Sequence, residues 1–162
     1  MRTLINVILI LQFGILSAQQ SQSKLIIGTW RFEKECDFRT EHEIYKDILE
    51  TSCGPMTENG LESPDRTFKS NGEYTDYYTT ENIRVGNWKL EKTKLSLNSR
   101  ISKKVFDSRK ELMERYLKEQ LITKGEDGKY YTRPVELNIK NLTDDRLEFG
   151  SEKLYRVWKR IK

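Results

Sequence analysis

Apolar and polar residues alternate along much of the chain, and a period of two is typical of half-buried β-strands. In the first such segment Trp30 and Phe32 share one face. The opposite face carries Arg31, Glu33 and Glu35. Strands that keep large aromatic side chains on one face favour a sheet that closes around its own interior. The pattern therefore predicts a mainly all-β fold. It favours a protein that encloses or recognises another molecule over an enzyme.

The alternation continues in short segments separated by turn residues. We predict strands over residues 24–36, 83–91, 95–97, 100–106, 135–140, 146–149 and 154–161, and a two-stranded hairpin over residues 66–80. Short strands joined by tight turns are typical of an antiparallel meander. We therefore expect an up-and-down β-barrel of about eight strands.

The segment 66–80 is the clearest hairpin in the sequence. A two-residue Asn-Gly turn would place Phe68 opposite Thr75. A three-residue turn, with Gly72 in the left-handed position, would instead place Phe68 opposite Tyr74. We prefer the second register because it brings two aromatic side chains together on one face.

One long segment between the strands has helical rather than strand periodicity. Over residues 108–122 apolar side chains recur at helical spacing. Ser108 and Glu111 fit a capping box at its start, and Gly125 would end it. The pattern predicts a helix inserted near 108–122.

The region after the first strand is irregular. Thr40 and Glu43 fit a capping box, which predicts a short helix, and segment 52–64 predicts a loop. Cys36 and Cys53 are the only two cysteines. In an exported chain we expect them to form a disulfide, with free thiols as the alternative. Two thiols without a histidine cluster make a poor metal site, so we predict no bound metal.

Residues 1–18 have the features of a cleavable signal peptide. Arg2 gives a positive start, an apolar run follows, and the run ends in the small residues Ser17 and Ala18. Residues 19–23 would form a polar tether, and residues 24–162 would form the barrel domain. Because no cysteine follows the cleavage site, we predict a free secreted or periplasmic protein. The alternative is that the apolar run remains as an uncleaved membrane anchor.

Charge is spread evenly over the chain. The 29 basic and 25 acidic residues give a formal net charge of +4, and no long basic run is present. Nucleic-acid binding usually requires clustered Lys and Arg, so we expect no nucleic-acid partner. No second apolar run is long enough to span a bilayer. We therefore expect the mature chain not to be membrane-spanning.

Residues with catalytic chemistry do not form a recognisable constellation. His42 is the only histidine and lies in a charged stretch, which predicts an exposed side chain. Asp144 and Asp145 lie in a predicted turn, where Asp is favoured for local backbone hydrogen bonds. The sequence contains no Gly-x-Ser-x-Gly motif. We predict no catalytic residues, no cofactor and no enzymatic activity.

Several segments resemble the lipocalin family, in particular its short bacterial lipocalin-like members. The segments are Gly28-Thr29-Trp30, Phe68–Tyr74, Gly86–Leu90, Leu142–Leu147 and Tyr155–Val157. Together they span nearly the whole mature chain. The resemblance implies an antiparallel barrel that can hold a small ligand. The chain departs from the family pattern because its predicted helix lies mid-chain rather than after the last strand.

The resemblance also implies a structural role for the start of the first strand. Gly28 and Trp30 would lie at the closed end of the barrel, where a basic side chain from the last strand covers the tryptophan. Arg156 and Arg160 are both candidates for this cover. A shielded cation–π contact of this kind contributes about 1 kcal/mol or more.

Two functions are compatible with these features. In the first, a hollow barrel holds a small hydrophobic or amphipathic ligand. In the second, a filled barrel binds a protein partner through its loops or its inserted helix. Aromatic side chains suit the first function, and the candidates are Trp30, Phe68, Tyr74, Tyr78 and Trp88. An interior void of roughly a few hundred cubic ångströms would favour ligand binding.

Overall fold

The computed structural model describes residues 23–38, 53–54, 57–58 and 61–161. Its strands are β1 (Gly28–Asp37), β2 (Cys53–Gly54), β3 (Thr57–Glu58), β4 (Leu61–Glu62), β5 (Asp65–Phe68), β6 (Glu73–Tyr77), β7 (Ile83–Glu91), β8 (Lys94–Ile101), β9 (Ile122–Lys124), β10 (Tyr130–Thr132), β11 (Val135–Leu142), β12 (Arg146–Gly150) and β13 (Leu154–Ile161). Its helices are α1 (residues 23–26), α2 (Lys103–Ser108) and α3 (Lys110–Lys118). The predicted signal peptide, the predicted helix after Thr40 and His42 lie outside the described residues.

Eight strands of the described part form a closed antiparallel barrel. Their order around the barrel is β1, β5, β6, β7, β8, β11, β12 and β13, and β13 pairs back onto β1. The pairing of β8 with β11 completes the ring, with Val135 opposite Leu97. A hairpin of β9 and β10 extends from the far end of β8, where Tyr130 lies opposite Ile101. The predicted up-and-down barrel is confirmed.

The hydrophobic core lies inside the barrel, toward the end where β1 begins, which we call the closed end. The fully buried core side chains are Ile26, Trp30, Phe68, Leu95 and Leu147. Trp88 and Leu137 pack against this cluster and remain partly exposed. Burial of apolar surface contributes about 25 cal/mol per Å², so this cluster is the main source of barrel stability.

The β5–β6 hairpin has the predicted register, with Phe68 opposite Tyr74. Gly72 has a φ of +84°, as the three-residue turn requires. The ring of Phe68 meets the ring of Trp88 edge to face, with 5.6 Å between the centroids. The three-residue turn is therefore confirmed, and so is the pairing of aromatic side chains that favoured it.

The predicted first strand begins too early. Residues 24–26 belong to α1, and β1 begins at Gly28. The helical turn brings the carbonyl of Ile26 to the indole of Trp30, which donates a hydrogen bond to it at 2.8 Å. The carbonyls of Leu25 in this turn and of Ile27 just after it accept hydrogen bonds from the guanidinium of Arg160. These contacts satisfy backbone acceptors at the closed end, so the helical turn takes the place of the predicted strand end.

The predicted strand over 100–106 is wrong. β8 ends at Ile101, and α2 follows. Ser102 caps α2, because its hydroxyl accepts a hydrogen bond from the amide of the third helical residue at 3.3 Å. The ring of Phe106 stacks on Tyr130 with 4.1 Å between the centroids. The apolar residue that suggested a strand is therefore covered by the β9–β10 hairpin.

The inserted helix is confirmed, but it is shorter than the predicted 108–122. Ser108 is the last residue of α2 and makes no cap for α3. Met113 of α3 is buried, as the helical spacing predicts. The chain then enters β9, so Gly125 lies in the β9–β10 turn and does not end the helix.

The predicted disulfide is confirmed. Cys36 of β1 is bonded to Cys53 of β2, and the two residues lie directly opposite each other in the strand pair. The predicted loop over 52–64 also contains β3 and β4, which pair with each other, so the prediction of a plain loop is wrong. None of the helices in the described residues is both long enough and apolar enough to cross a membrane.

Candidate functional site

The barrel interior is not filled along its whole length. A cavity of about 740 Å³ opens opposite the closed end, beside the β12–β13 turn at Gly150 and Ser151. Most of the strand side chains that line it face inward, and these alternate with outward-facing ones along each strand. Ligand cavities commonly enclose about 300–1,000 Å³, so this space has the size for a small molecule.

One wall of the cavity is apolar. It consists of Leu97 on β8, Leu137 on β11 and Phe149 on β12. Trp158 of β13 extends it, and its ring meets Phe149 edge to face at 5.1 Å. Within the part of the chain that the structure describes, the indole nitrogen of Trp158 is a buried donor without a hydrogen-bond partner. The wall offers a continuous surface for apolar ligand groups.

The facing wall contains a buried ion pair. Arg66 of β5 lies opposite Asp76 of β6, and two hydrogen bonds join them, Nε to Oδ1 at 2.5 Å and Nη2 to Oδ2 at 2.9 Å. Burial disfavours the charged guanidinium, but the hydrogen bonds and charge of Asp76 outweigh burial and raise the pKa of Arg66. Asp76 is only 1% exposed. Removal of either partner would leave the other as an uncompensated buried charge.

Tyr74 of β6 also points into the barrel, where its hydroxyl shares a hydrogen bond with the hydroxyl of Ser99 at 2.9 Å. Burial raises the pKa of Tyr74, and the bond to Ser99 opposes this shift in part. Gly86 lies directly opposite Tyr74. A Cβ at Gly86 would lie 1.9 Å from the Asn98 carbonyl oxygen and 2.6 Å from Cε1 of Tyr74. The glycine of this second Gly-x-Trp segment is therefore required for packing.

Two further arginines line the mouth of the cavity. Arg156 of β13 donates a hydrogen bond to Glu35 of β1 at 2.5 Å. Arg84 of β7 lies over the ring of Tyr78, with 5.2 Å from its guanidinium carbon to the ring centroid. The side chains of Arg156 and Glu35 are 45% and 25% exposed. Solvent therefore screens this pair more than the buried pair of the facing wall.

The five predicted ligand-binding side chains fall into two groups. Tyr74 and Tyr78 line the cavity. Trp30, Phe68 and Trp88 lie in or against the core and do not border the cavity. The indole N–H groups of Trp30 and Trp88 donate to backbone carbonyls at 2.8 Å and 3.0 Å. Of these five side chains, Tyr74 and Tyr78 are therefore the two that a molecule in the cavity could contact.

Of the two candidate arginines, Arg160 covers Trp30, whereas Arg156 lies at the cavity mouth. The guanidinium carbon of Arg160 is 4.2 Å from the Trp30 ring centroid. Arg160 also donates to the carbonyl of Ile27 at 2.7 Å. Gly28, with a φ of +139°, permits this approach, because a Cβ there would lie 2.2 Å from Nη1 of Arg160. This arrangement seals the closed end and holds the first and last strands together.

Two kinds of side chain bear on the chemistry of the site, namely metal ligands and the adjacent acids Asp144 and Asp145. No three His, Cys, Asp or Glu side chains in the described residues are grouped so as to hold a metal ion. Asp144 and Asp145 lie in the β11–β12 turn, as predicted. Asp145 accepts a hydrogen bond from the hydroxyl of Thr143 at 2.9 Å, which is a local turn contact.

Sequence reasoning missed the charged side chains of the cavity. Arg66 lies two positions before Phe68, and Asp76 lies two positions after Tyr74. Because side chains two apart on a strand share a face, alternation places both charges inside the barrel. A charge at an inward position indicates a buried ion pair or an unfilled interior, and both are present here.

Comparison with known proteins gives no family assignment. No family model matches the chain, and no curated protein matches it. The chain is similar to the crystal structure of a lipocalin-like protein from Bacteroides uniformis ATCC 8492, with a TM-score of 0.48, 10% identity, and coverage of 85% of this chain and 99% of that chain. It is also similar to an uncharacterized protein from Bacteroides eggerthii DSM 20697, with a TM-score of 0.47, 15% identity, and coverage of 84% and 99%. The closed barrel itself follows from the hydrogen-bonded strand order described above.

Proposed function

We propose that this protein is a non-enzymatic binding protein that holds one small hydrophobic or amphipathic molecule in its barrel. The observation that carries the proposal is the cavity of about 740 Å³, bordered on one side by Leu97, Leu137 and Phe149. Burial of apolar ligand surface against such a wall is favourable by about 25 cal/mol per Å². A cavity that exists before binding also avoids the entropy cost of ordering a site around the ligand.

The alternative function, contact with a protein partner by a filled barrel, has less support. A filled barrel requires side chains throughout the interior, whereas here core residues such as Leu97, Phe149 and Trp158 border an unfilled cavity. Val105 of α2 and Leu121, which lies between α3 and β9, are exposed apolar residues. Exposed apolar side chains of this kind are normal on protein surfaces and do not define a docking face.

Native mass spectrometry of the protein purified from its producing cell tests ligand binding. We expect a one-to-one adduct on the wild-type chain. L137W places a bulky ring in the cavity and should abolish the adduct, whereas the matched variant L121W changes an exposed position and should keep it. Bare wild-type protein in repeated preparations would contradict the proposal, and so would an adduct that persists in folded L137W.

We also propose that the chain is exported and that its mature form begins at Gln19. The disulfide between Cys36 and Cys53 supports an oxidising compartment. The intact mass of protein recovered from the periplasm or the medium is the test. A mass that starts at Gln19 and does not increase on thiol alkylation without reductant is expected. Full-length protein with two alkylated thiols would contradict export.

A further inference from the structure

Charged side chains inside the cavity follow one side of the barrel. Arg66, Asp76 and Arg84 lie on the adjacent strands β5, β6 and β7, and each is the register partner of the next. Register partners project from the same face of a sheet, so all three point inward. Next to them, Glu35 of β1 and Arg156 of β13 are also register partners and line the same cavity. We call these five residues the charged arc.

The charged arc and the apolar wall divide the barrel between them. The arc occupies the consecutive strands β13, β1, β5, β6 and β7. The wall, with Leu97, Leu137 and Phe149, occupies the remaining strands β8, β11 and β12 and extends onto β13 at Trp158. The cavity is thus charged on one side and apolar on the other. Such a space fits a molecule that has a polar group on one side and an apolar body on the other.

Positive charge is in excess in the charged arc, because it contains three arginines and two carboxylates. Each carboxylate is hydrogen-bonded to an arginine, Asp76 to Arg66 and Glu35 to Arg156. Arg84 has no carboxylate partner among the residues that the structure describes, and it lies over the ring of Tyr78. Among the described residues, the arc therefore leaves one cation at the cavity mouth without an ion pair of its own, because its register partner Asp76 is bonded to Arg66.

A further carboxylate borders the cavity but does not neutralise this cation. Glu136 of β11 forms an ion pair with Lys94 of β8 at 3.3 Å, and both side chains are largely exposed. Glu136 follows Val135 and precedes Leu137, which pair with Leu97 and Leu95 of the barrel interior. Alternation therefore turns Glu136 outward, away from Arg84.

We propose that the ligand is an amphipathic anion whose acidic group pairs with Arg84 while its apolar part packs against Leu97, Leu137 and Phe149. This inference rests on the ligand-binding function proposed above. A guanidinium presents a planar fork of donors that matches a carboxylate or a sulfonate. Asp76 already occupies the Nε and Nη2 donors of Arg66, so Arg84 is the residue that sets the charge preference.

A matched pair of fluorescent probes tests the charge preference. 8-Anilinonaphthalene-1-sulfonate and N-phenyl-1-naphthylamine share an aromatic amine framework, but only the first carries a sulfonate. Each is titrated into the disulfide-bonded protein and into its variants. We expect the wild-type protein to bind one equivalent of either probe, with mutual competition. Raising the salt concentration should lower the affinity for the sulfonate probe and leave the affinity for the neutral probe unchanged.

The variants R84Q and R84K separate charge from packing. R84Q should lower the affinity for the sulfonate probe about fivefold, because exposed ion pairs contribute up to about 1 kcal/mol. The affinity for the neutral probe should change less than about twofold. R84K keeps the charge and should retain most of the sulfonate affinity. R100Q is the matched control, because Arg100 follows the cavity-lining Ser99 on β8 and is exposed on the outer face.

The outcomes distinguish this inference from the function on which it rests. An R84Q variant that binds the sulfonate probe like wild type, or that loses both probes equally, would overturn the role of Arg84 and leave ligand binding intact. Failure of both probes to bind wild-type protein would overturn both proposals. If R84Q does not fold, sulfonate affinity that is insensitive to salt in wild type would itself overturn the inference.

Discussion

The two ends of the barrel share the same strands but use their inward positions differently. At the closed end, Trp30 and Ile26 are fully buried, and Arg160 lies over the indole ring. At the open end, inward positions carry Arg66 and Asp76 around a cavity. The same alternation of side chains thus produces a packed core at one end of the barrel and a polar cavity at the other.

Arg160 and Arg156, both on the last strand, illustrate this difference between the closed end and the open end of the barrel. Arg160 binds an aromatic face and backbone carbonyls, which are fixed parts of the fold. Arg156, four residues earlier, binds the carboxylate of Glu35 beside solvent. The arginine at the closed end is therefore a fixed part of the fold, whereas the open end keeps charged groups beside solvent.

Trp30→Ala should give the largest loss of stability. It removes a fully buried ring and its hydrogen bond to Ile26, and such truncations cost about 3–5 kcal/mol. Urea denaturation measures the free energy of unfolding. Tyr77→Ala is the control, because Tyr77 is 44% exposed, and it should cost less than about 1 kcal/mol. Similar costs for both variants would contradict a packed closed end.

Asp76→Ala should lower the free energy of unfolding by about 3 kcal/mol, because it leaves Arg66 charged and unpaired in the interior. The matched change is Asp65→Ala, which breaks an exposed pair with Arg31. Exposed pairs contribute about 0–1 kcal/mol, so this variant should stay near wild type. A small cost for Asp76→Ala would show that water solvates Arg66 freely.

The two arginines of β13 should differ in their contribution to stability. Arg160→Met removes a cation–π contact and hydrogen bonds to backbone carbonyls, and it should cost about 2 kcal/mol. Arg156→Met breaks a pair that is partly exposed, and it should cost less than about 1 kcal/mol. Thermal and urea unfolding of both variants provide the measurement. The reverse order would contradict the assignment of Arg160 as the structural residue.

The smallest expected effect concerns the β9–β10 turn, which lies outside the barrel. Hydrogen bonds from Lys129 and Tyr131 lower the pKa of Asp127 to about 2, from an ordinary value of 3.8. A lowered pKa in the folded state stabilises the fold above pH 3.8, and this contribution is lost as the pH falls toward 2. The difference in urea midpoint between wild type and Asp127→Asn should therefore narrow from pH 5 to pH 2. A difference in urea midpoint that stays constant over this pH range would contradict a lowered pKa of Asp127.

Much of the barrel could be predicted because side-chain alternation is a local property of the sequence. β7 has the predicted bounds, and the register that places Phe68 opposite Tyr74 follows from turn chemistry and aromatic pairing. The helical turn before Gly28 could not be predicted in this way. Leu25 to Ile27 are apolar throughout, and short apolar runs do not distinguish a buried strand from a buried helical turn.

The candidate site was predicted only in part. Tyr74 and Tyr78 were identified from their chemistry, and both line the cavity. The pairing of Arg66 with Asp76 follows from the predicted hairpin register and was overlooked. The pairing of Glu35 with Arg156 joins the first and last strands, so it depends on how the barrel closes. The alternation also gives no indication of where packing stops, since that depends on how the strands stagger as the barrel closes.

The three tryptophan indoles provide the most direct test of the hollow open end. Trp30 and Trp88 donate their N–H groups to backbone carbonyls at the core. Trp158 lines the cavity, and its indole N–H has no hydrogen-bond partner among the residues that the structure describes. Their N–H resonances are followed by NMR while N-phenyl-1-naphthylamine is added. We predict a saturable shift of the Trp158 resonance and none for the other two. No shift of Trp158, or equal shifts of all three, would contradict a ligand site in the open half of the barrel.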